Sequence, residues 1–322
     1  MNIGSLRLNN PVILAPMAGI TDLPYRLIAK RFGAALVFTE MVSANGLFYG
    51  GSGTDGLLLS TPEERPLGVQ LFGDDPQRLA DAARRVEPDA DLIDLNCGCP
   101  VKKVVGSGAG SALLREPAKI AAIVRAVRTA TSRPLTIKLR SGWDTGSRNY
   151  LEVARLAVAE GVDAITLHPR TRTQMFGGRA DWSDIARLKE AVPVPVIASG
   201  DIFSADDALA VLSQTGCDAV MVARGGYGNP WLIRQILERL DGRQIQPPTP
   251  AERLRSAGEH LELFLATYGP ARTLAHMRKH LCWYTHGLTN ATGFRQHINQ
   301  TRTLSEMQDL LADFTAATNG TN

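Results

Sequence analysis

DLIDLNCGCP, residues 91–100, decides how this chain is read. Apolar and polar side chains alternate along 91–96, as in a strand buried on one face. The chain then runs abruptly into an amide, two cysteines, a glycine and a proline. Cys99 therefore stands just past the end of a buried strand, on a rigid turn. A thiol so placed is a candidate proton donor or nucleophile. Free cysteine also packs readily in cores, and these ten residues alone leave both readings open.

Working outward, short runs rich in Val, Ile and Leu recur at 12–15, 36–40, 68–72, 92–96, 136–140, 165–168, 196–199 and 219–223. Helical periodicity, with Asp, Ser or Pro near the start, fills 76–86, 117–130, 150–160, 182–190 and 205–213 between them. Eight strand–helix units predict an α/β fold, a (β/α)8 TIM barrel. A doubly wound sheet is the competing architecture. It would need fewer strands and a dinucleotide fingerprint after the first, where this chain has APMAGITD (15–22). Residues 3–10 read as a hairpin plugging the barrel bottom.

Beyond Asp241-Gly242 the composition changes. Pro247, Pro248 and Pro250 make a stiff linker, and helices alone follow, at 251–267, 271–285, 291–300 and 303–317. The expected domains are a catalytic barrel over 1–242 and a smaller all-helical domain over 243–322.

Bulk properties remove several classes. A hydrophobic fraction of 44% with 21% charged residues excludes wholesale disorder, and a net charge of +3 does not by itself imply nucleic acid. No basic segment leads into an apolar one at the start, and no apolar run nears the length of a membrane span. A soluble cytoplasmic protein without a membrane partner is expected, and nothing points to an obligate protein partner. Cys97, Cys99, Cys217 and Cys282 are too few for a disulfide scaffold. Cys97-x-Cys99 has no second pair at finger-like spacing, so no metal site is expected.

In a barrel of this kind the chemistry gathers at the C-terminal strand ends. Those ends read Pro16-Met17, Glu40, Gln70, Asn96 to Cys99, Lys138 to Arg140, His168, Ser199-Gly200-Asp201 and Arg224-Gly225-Gly226. Lys138 and Arg140 share one face of their strand. A buried Lys without a partner costs several kcal/mol. Either an anionic ligand satisfies it or an interior ion pair does, with Asp94 or Glu40 the candidates. At SGD (199–201) and ARGG (223–226), glycine, a helix start and a guanidinium combine. That pattern suits the phosphate of a cofactor.

Taken together, APMAGITD (15–22), TEM (39–41), Gln70, DLNCGCP (94–100), VGSGAGSALL (105–114), KLRSGWD (138–144), HPRTR (168–172) and SGDI (199–202) resemble the tRNA-dihydrouridine synthases. The bacterial B-type branch fits best, and GNPWLIR (228–234) and RKHLCWY (278–284) extend the likeness into the tail. The resemblance implies an FMN-dependent reduction of the C5–C6 bond of D-loop uridines in tRNA, with NADPH as reductant. It places Pro16, Met17 and Ala18 against the isoalloxazine, Gln70 at its edge, and Lys138 and His168 beside it. Ser199, Gly200, Asp201, Ala223 and Arg224 would hold ribityl and phosphate. Asn96 and Arg140 would orient the uracil, Arg170 and Arg172 would join them in holding substrate, and Cys99 would donate the proton. Ser199 and Ala223 depart from the family's usual Asn and Gly, and Pro169 from a common Gly. Cys97 stands for a common Met and reads as packing. GSGAG (106–110) lacks the Lys of a phosphate loop and reads as a loop closing on substrate.

Between Pro270 and Arg302 stand Arg272, Arg278, Lys279, Arg295 and Arg302, four of the six histidines, and no Asp or Glu. On a helix over 271–285, Leu274, Met277, Leu281 and Tyr284 form a core stripe. Arg272, His276, Lys279 and Trp283 form a second, cationic and aromatic stripe suited to RNA. Arg272, Arg278 and Lys279 are the expected tRNA contacts. Two other functions compete: an FMN barrel reducing a free pyrimidine or other small molecule, and a non-catalytic RNA-binding relative.

Overall fold

The computed structural model describes residues 1–50 and 52–320. Its strands are β1 (Asn2–Ile3), β2 (Leu6–Arg7), β3 (Val12–Leu14), β4 (Val37–Phe38), β5 (Val42–Ser43), β6 (Leu67–Phe72), β7 (Leu92–Cys97), β8 (Leu135–Arg140), β9 (Ala164–His168), β10 (Val196–Ser199) and β11 (Ala219–Val222). The sheet runs β3-β11-β10-β9-β8-β7-β6-β4, all parallel, and a parallel bridge from Ile13 to Leu36 closes the ring. A doubly wound sheet is thereby ruled out. β5 is a short extra strand on β6 that the expected strand 36–40 did not anticipate.

Around the ring lie α1 (Leu23–Arg31), α2 (Ala44–Phe48), α3 (Ser52–Asp55), α4 (Pro76–Val86), α5 (Lys102–Gly106), α6 (Pro117–Ala130), α7 (Tyr150–Ala159), α8 (Ser183–Ala191), α9 (Ala205–Thr215) and α10 (Trp231–Leu240). The expected β1–β2 hairpin forms. Ile3 and Leu8 bury with Ile13, Leu36, Leu92, Ile197 and Met221 in one cluster that fills the barrel bottom.

The tail consists of α11 (Pro250–Tyr284), α12 (Ala291–Ile298) and α13 (Leu304–Asn319). Thr249 and Glu252 form a capping box, and Pro250 occupies a first-turn position where its missing N–H costs nothing. Gly269 interrupts α11 at φ 77°, just before Pro270, so the two helices expected at 251–267 and 271–285 meet across a kink. Met277, Leu281 and Tyr284 are fully buried with Phe264, Phe294 and Met307, as the core stripe requires. Trp231, on the last barrel helix, belongs to this same cluster, so an apolar seam joins tail to barrel.

Candidate active site

A cavity of about 340 Å³ opens at the C-terminal end of the barrel. Pro16, Met17 and Ala18 line one side. Gln70, Asn96, Cys99, Lys138, Arg140 and His168 continue around it, and Ser199, Gly200, Asp201, Ala223 and Arg224 complete the ring. Each comes from the end of a strand or the turn after it, which is why residues so far apart in sequence share one mouth.

Under the cavity, polar side chains are chained together. Thr136 Oγ1 donates to Asp94 Oδ1 at 2.6 Å, and Gln70 Nε2 donates to Asp94 Oδ2 at 2.6 Å. Asn96 Nδ2 donates to Gln70 Oε1 at 2.8 Å. Asn96 Oδ1 then accepts the backbone N–H groups of Gly98 (3.1 Å) and Cys99 (2.9 Å). The amide expected to orient a substrate base is thus also the clamp of the Cys99 turn. The 106–110 run packs against that turn. Gly110 sits at φ +60°, and a Cβ there would lie 2.7 Å from the Cys99 carbonyl oxygen. Ser111 donates from its N–H to that oxygen at 3.0 Å and from Oγ to Gly98 O at 2.8 Å. Burial raises the Cys99 pKa above that of a free thiol, so it carries its proton at neutral pH.

Lys138 has no hydrogen bond or ion pair among the described residues, so the interior ion pair is absent and its ammonium faces the cavity. Burial first, then Arg140, lower its pKa to about 8. Arg140 donates from Nε to Gly98 O at 3.0 Å, and from Nη1 to Thr171 O (2.9 Å) and Met175 O (2.6 Å). Its Nη2 is left for the cavity. Burial and the cations Lys138 and Arg140 push the His168 pKa far down, so the ring is neutral. Arg170 Nη1 lies 3.2 Å from His168 Nε2. A guanidinium only donates, so Nε2 accepts and the ring proton sits on Nδ1. Gly200 makes room for this ring: a Cβ there would lie 2.7 Å from His168 Cδ2.

Several expected substrate residues are placed otherwise. Arg170 is buried and does not line the cavity; it donates to Gly177 O, Gly178 O and Asp201 Oδ2. Burial would raise the Asp201 carboxyl, but Arg170 and the Ala180 N–H hold it below the usual range. Arg224 lies 3.6 Å from that carboxylate and 4.9 Å from the Phe176 ring centre. Arg172 lies outside the cavity, 4.7 Å from the ring centre of Trp143. Arg278, an expected RNA contact, donates from Nη2 to the Thr301 carbonyl inside the tail. Lys279 donates to the Gly19 carbonyl, while the Gly19 N–H donates to Glu40. Its ammonium therefore clasps the loop carrying Met17 and Ala18. The second stripe of α11 is not a free face: Trp283 stacks on Tyr227, with ring centres 4.4 Å apart. Arg272 remains half-exposed, 3.9 Å over the Tyr268 ring.

The sequence model of one family, described as Dihydrouridine synthase (Dus), matches residues 13–319. The chain belongs to that family. A probable tRNA-dihydrouridine synthase of Rickettsia conorii is 40% identical over 325 residues, spanning 100% of this chain and 98% of the relative. The tRNA-dihydrouridine synthase B of Pseudomonas aeruginosa is 41% identical over 302 residues, 93% of this chain and 91% of its own. Among solved structures, a 2-naphthoyl-CoA reductase in complex with 2-naphthoyl-CoA superposes with a TM-score of 0.57 at 13% identity. It covers 76% of this chain and 52% of that one, a likeness of fold. This dihydrouridine synthase family member thus carries an oxidoreductase mouth on a barrel.

Sequence reading missed several parts of that mouth. Phe176, Phe203, Val101 and Tyr227 line it, and the first three are among the exposed large apolar residues. Loop aromatics beside arginines at strand ends were the available signal. Asp94, one of the two candidate partners for Lys138, instead accepts from Thr136 and Gln70.

Proposed function

We propose that this enzyme reduces uridines of tRNA, in the D-loop, to 5,6-dihydrouridine, with FMN as cofactor and NADPH as reductant. The observation that carries the reading is the convergence of a protonated thiol, an unpartnered ammonium and a neutral imidazole on one cavity. The residues fit FMN. Pro16, Met17, Ala18 and Ala223 offer an apolar wall, and Lys138 has no anion of its own. Arg224 stands on the 199–201 side of the lining, with its nearest carboxylate, Asp201, 3.6 Å away. Ser199, Gly200, Asp201, Ala223 and Arg224 would hold ribityl and phosphate, and Gln70, Lys138 and His168 the ring.

When bound, the flavin supplies hydride chemistry. Lys138 provides positive charge where an electron-rich ring would collect it. His168 can donate only from Nδ1, and Arg140 Nη2 is the free donor for the base. Asn96 Nδ2 gives one N–H to Gln70 and the other, weakly, to Met41 Sδ at 3.9 Å, a bond that the base would have to displace. Cys99 Sγ gives its proton to uracil C5, and solvent returns one to the thiolate. The balance is uridine, NADPH and a proton giving dihydrouridine and NADP⁺. A thiol that burial keeps protonated suits this role. A purely small-molecule enzyme would give no reason for the stretch between Pro270 and Arg302 to lack Asp and Glu. We assign 1–242 to catalysis and 243–322 to gripping the RNA so that the target base can be turned out of its stack. Of the three expected contacts, Arg272 is the one whose guanidinium makes no hydrogen bond or ion pair among the described residues. No helix among the described residues is long and apolar enough to cross a membrane. A cytoplasmic location, where tRNA is found, goes with this function.

The test is incubation with NADPH and unmodified transcribed tRNA, followed by mass spectrometry for uridines heavier by two hydrogens. A gain that needs NADPH is expected. No gain in FMN-loaded protein, with both transcript and cell-derived tRNA lacking dihydrouridine, would overturn the reading.

A further inference from the structure

Two guanidinium groups converge on one indole at the rim of the barrel mouth. The carbon at the centre of the Arg115 guanidinium lies 4.2 Å from the ring centre of Trp143, and that of Arg172 lies 4.7 Å from it. Neither arginine has an ion pair within 4.0 Å among the described residues, whereas neighbouring Arg148 binds Asp181 and Asp184, and Arg170 binds Asp201. Arg172 Nε is enclosed yet has no hydrogen-bond partner. The nearby carboxylate Asp144 is occupied with Gly146 N–H and Ser147 Oγ, in its own turn. Two cations held on one indole without a counter-charge leave a concentration of positive charge that something anionic can complete.

The backbone makes this a built platform rather than a chance meeting of long side chains. Ser141 N–H donates to Arg170 O at 3.1 Å, Arg172 N–H to Gly142 O at 2.9 Å, and Thr173 N–H to Trp143 O at 3.0 Å. The loops after β8 and β9 are thereby stitched edge to edge. The platform adjoins the cavity at two points. Arg140, whose Nη2 faces the cavity, donates to Thr171 O next to Arg172. Arg115 ends the short helical turn over Gly110–Arg115 whose Ser111 holds the Cys99 turn. The platform thus flanks the acid side of the pocket, outside the volume expected to hold the flavin.

We propose that Arg115, Trp143 and Arg172 form a phosphodiester clamp for the RNA strand beside the uridine that enters the cavity. This rests on the function proposed above, gives the expected substrate role of Arg172 a defined ligand atom, and adds Arg115 and Trp143 to it. Guanidinium forks match phosphate oxygens, and the indole fixes their planes before the RNA arrives. A phosphate of the dinucleotide reductant has the same chemistry. The rim position outside the cavity favours RNA.

The test compares the wild type, Arg115→Gln/Arg172→Gln and Trp143→Leu as FMN-loaded protein. Three readouts are taken: KM for tRNA across a salt series, KM for NADPH in flavin reduction without RNA, and flavin content. For the double variant we expect KM for tRNA to rise at least tenfold. The slope of log affinity against log salt should be shallower by about 1 to 2, as for one or two lost phosphate contacts. KM for NADPH and flavin content should stay unchanged. Trp143→Leu should raise KM for tRNA less and keep the wild-type salt slope, since the charges remain. An unchanged tRNA KM and slope would overturn the clamp, as would a rise confined to the KM for NADPH. If the wild type itself makes no dihydrouridine, the failure lies with the proposed function. The clamp is then judged by RNA binding of the same three proteins in the same salt series.

Discussion

The floor of the barrel mouth and the seam between barrel and tail both bury polar side chains, and they treat them oppositely. From Thr136 through Asp94 and Gln70 to Asn96, each polar side chain is bonded to the next, and the chain ends on the N–H groups that hold Cys99. At the seam, His260 and His280 lie wholly buried with ring centres 4.7 Å apart. His280 has no hydrogen bond at either nitrogen, and His260 has none at Nε2. The first region uses polar groups to fix a position within a fraction of an ångström. The second uses histidines as apolar filler that stays apolar only while unprotonated. Position is what the chemistry needs, whereas the seam only has to stay closed.

The comparison can be broken most decisively at the end of the bonded chain. Cys99→Ala should keep FMN and lose uridine reduction by about 10²–10⁴-fold, the range for a general acid; full activity would remove the acid role. Asn96→Ala releases both N–H groups of the turn, and kcat should fall by about 100-fold, as for a misplaced reacting group. Single-turnover reduction of tRNA, with flavin content measured alongside, separates that loss from cofactor loss.

The next effect is one of pH. Lys138, with a pKa lowered to about 8, loses its positive charge as pH rises through that value. Turnover should decline on that limb, and Lys138→Arg should move the decline to higher pH. In the tail, Arg272→Ala should raise KM for tRNA a few-fold and make the salt slope shallower by about 0.7–0.9, as for one phosphate contact.

The seam gives the smallest effect at neutral pH. Burial lowers the His260 pKa from 6.5 to about 3, and burial, with His260 and Lys279, depresses His280 strongly. Below pH 6.5 the unfolded chain binds protons that the folded chain refuses, so stability falls as pH drops from 6.5 toward 3. The slope approaches about 1.4 kcal/mol per pH unit for each histidine. Facing groups are Tyr25, Tyr284, Lys279, His276 and Asp22. Thermal melts of His280→Phe should show a shallower acid decline than wild type and little change at pH 8.

The barrel was legible because its strands are runs of Val, Ile and Leu, and strand ends alone carried the polar residues now found around one cavity. The helix Leu23–Arg31 escaped notice, although Asp22 caps it and Pro24 stands in its first turn. Its apolar spacing is short and merges into the motif before it. The tail's core stripe was legible for the same reason as the barrel. What the periodicity of α11 cannot carry is which body its other stripe meets. Trp283 and Lys279 face barrel loops, and Arg278 reaches Thr301, because docking rather than helix geometry decides those contacts. Arg170 makes a related point: a charge at a strand end reads as ligand-facing in sequence, and only the fold shows the carbonyls of its own loop and Asp201 accepting its hydrogen bonds.

The clasp of Lys279 on Gly19 bears on how such proteins could be recombined. The loop that carries Met17 and Ala18 is gripped from below by Glu40 and from above by a side chain some 260 residues later. A foreign tail grafted at the proline linker would keep that loop in place only if it also brought a cation to that carbonyl. Without one, the graft would loosen the wall of the very pocket it was meant to serve.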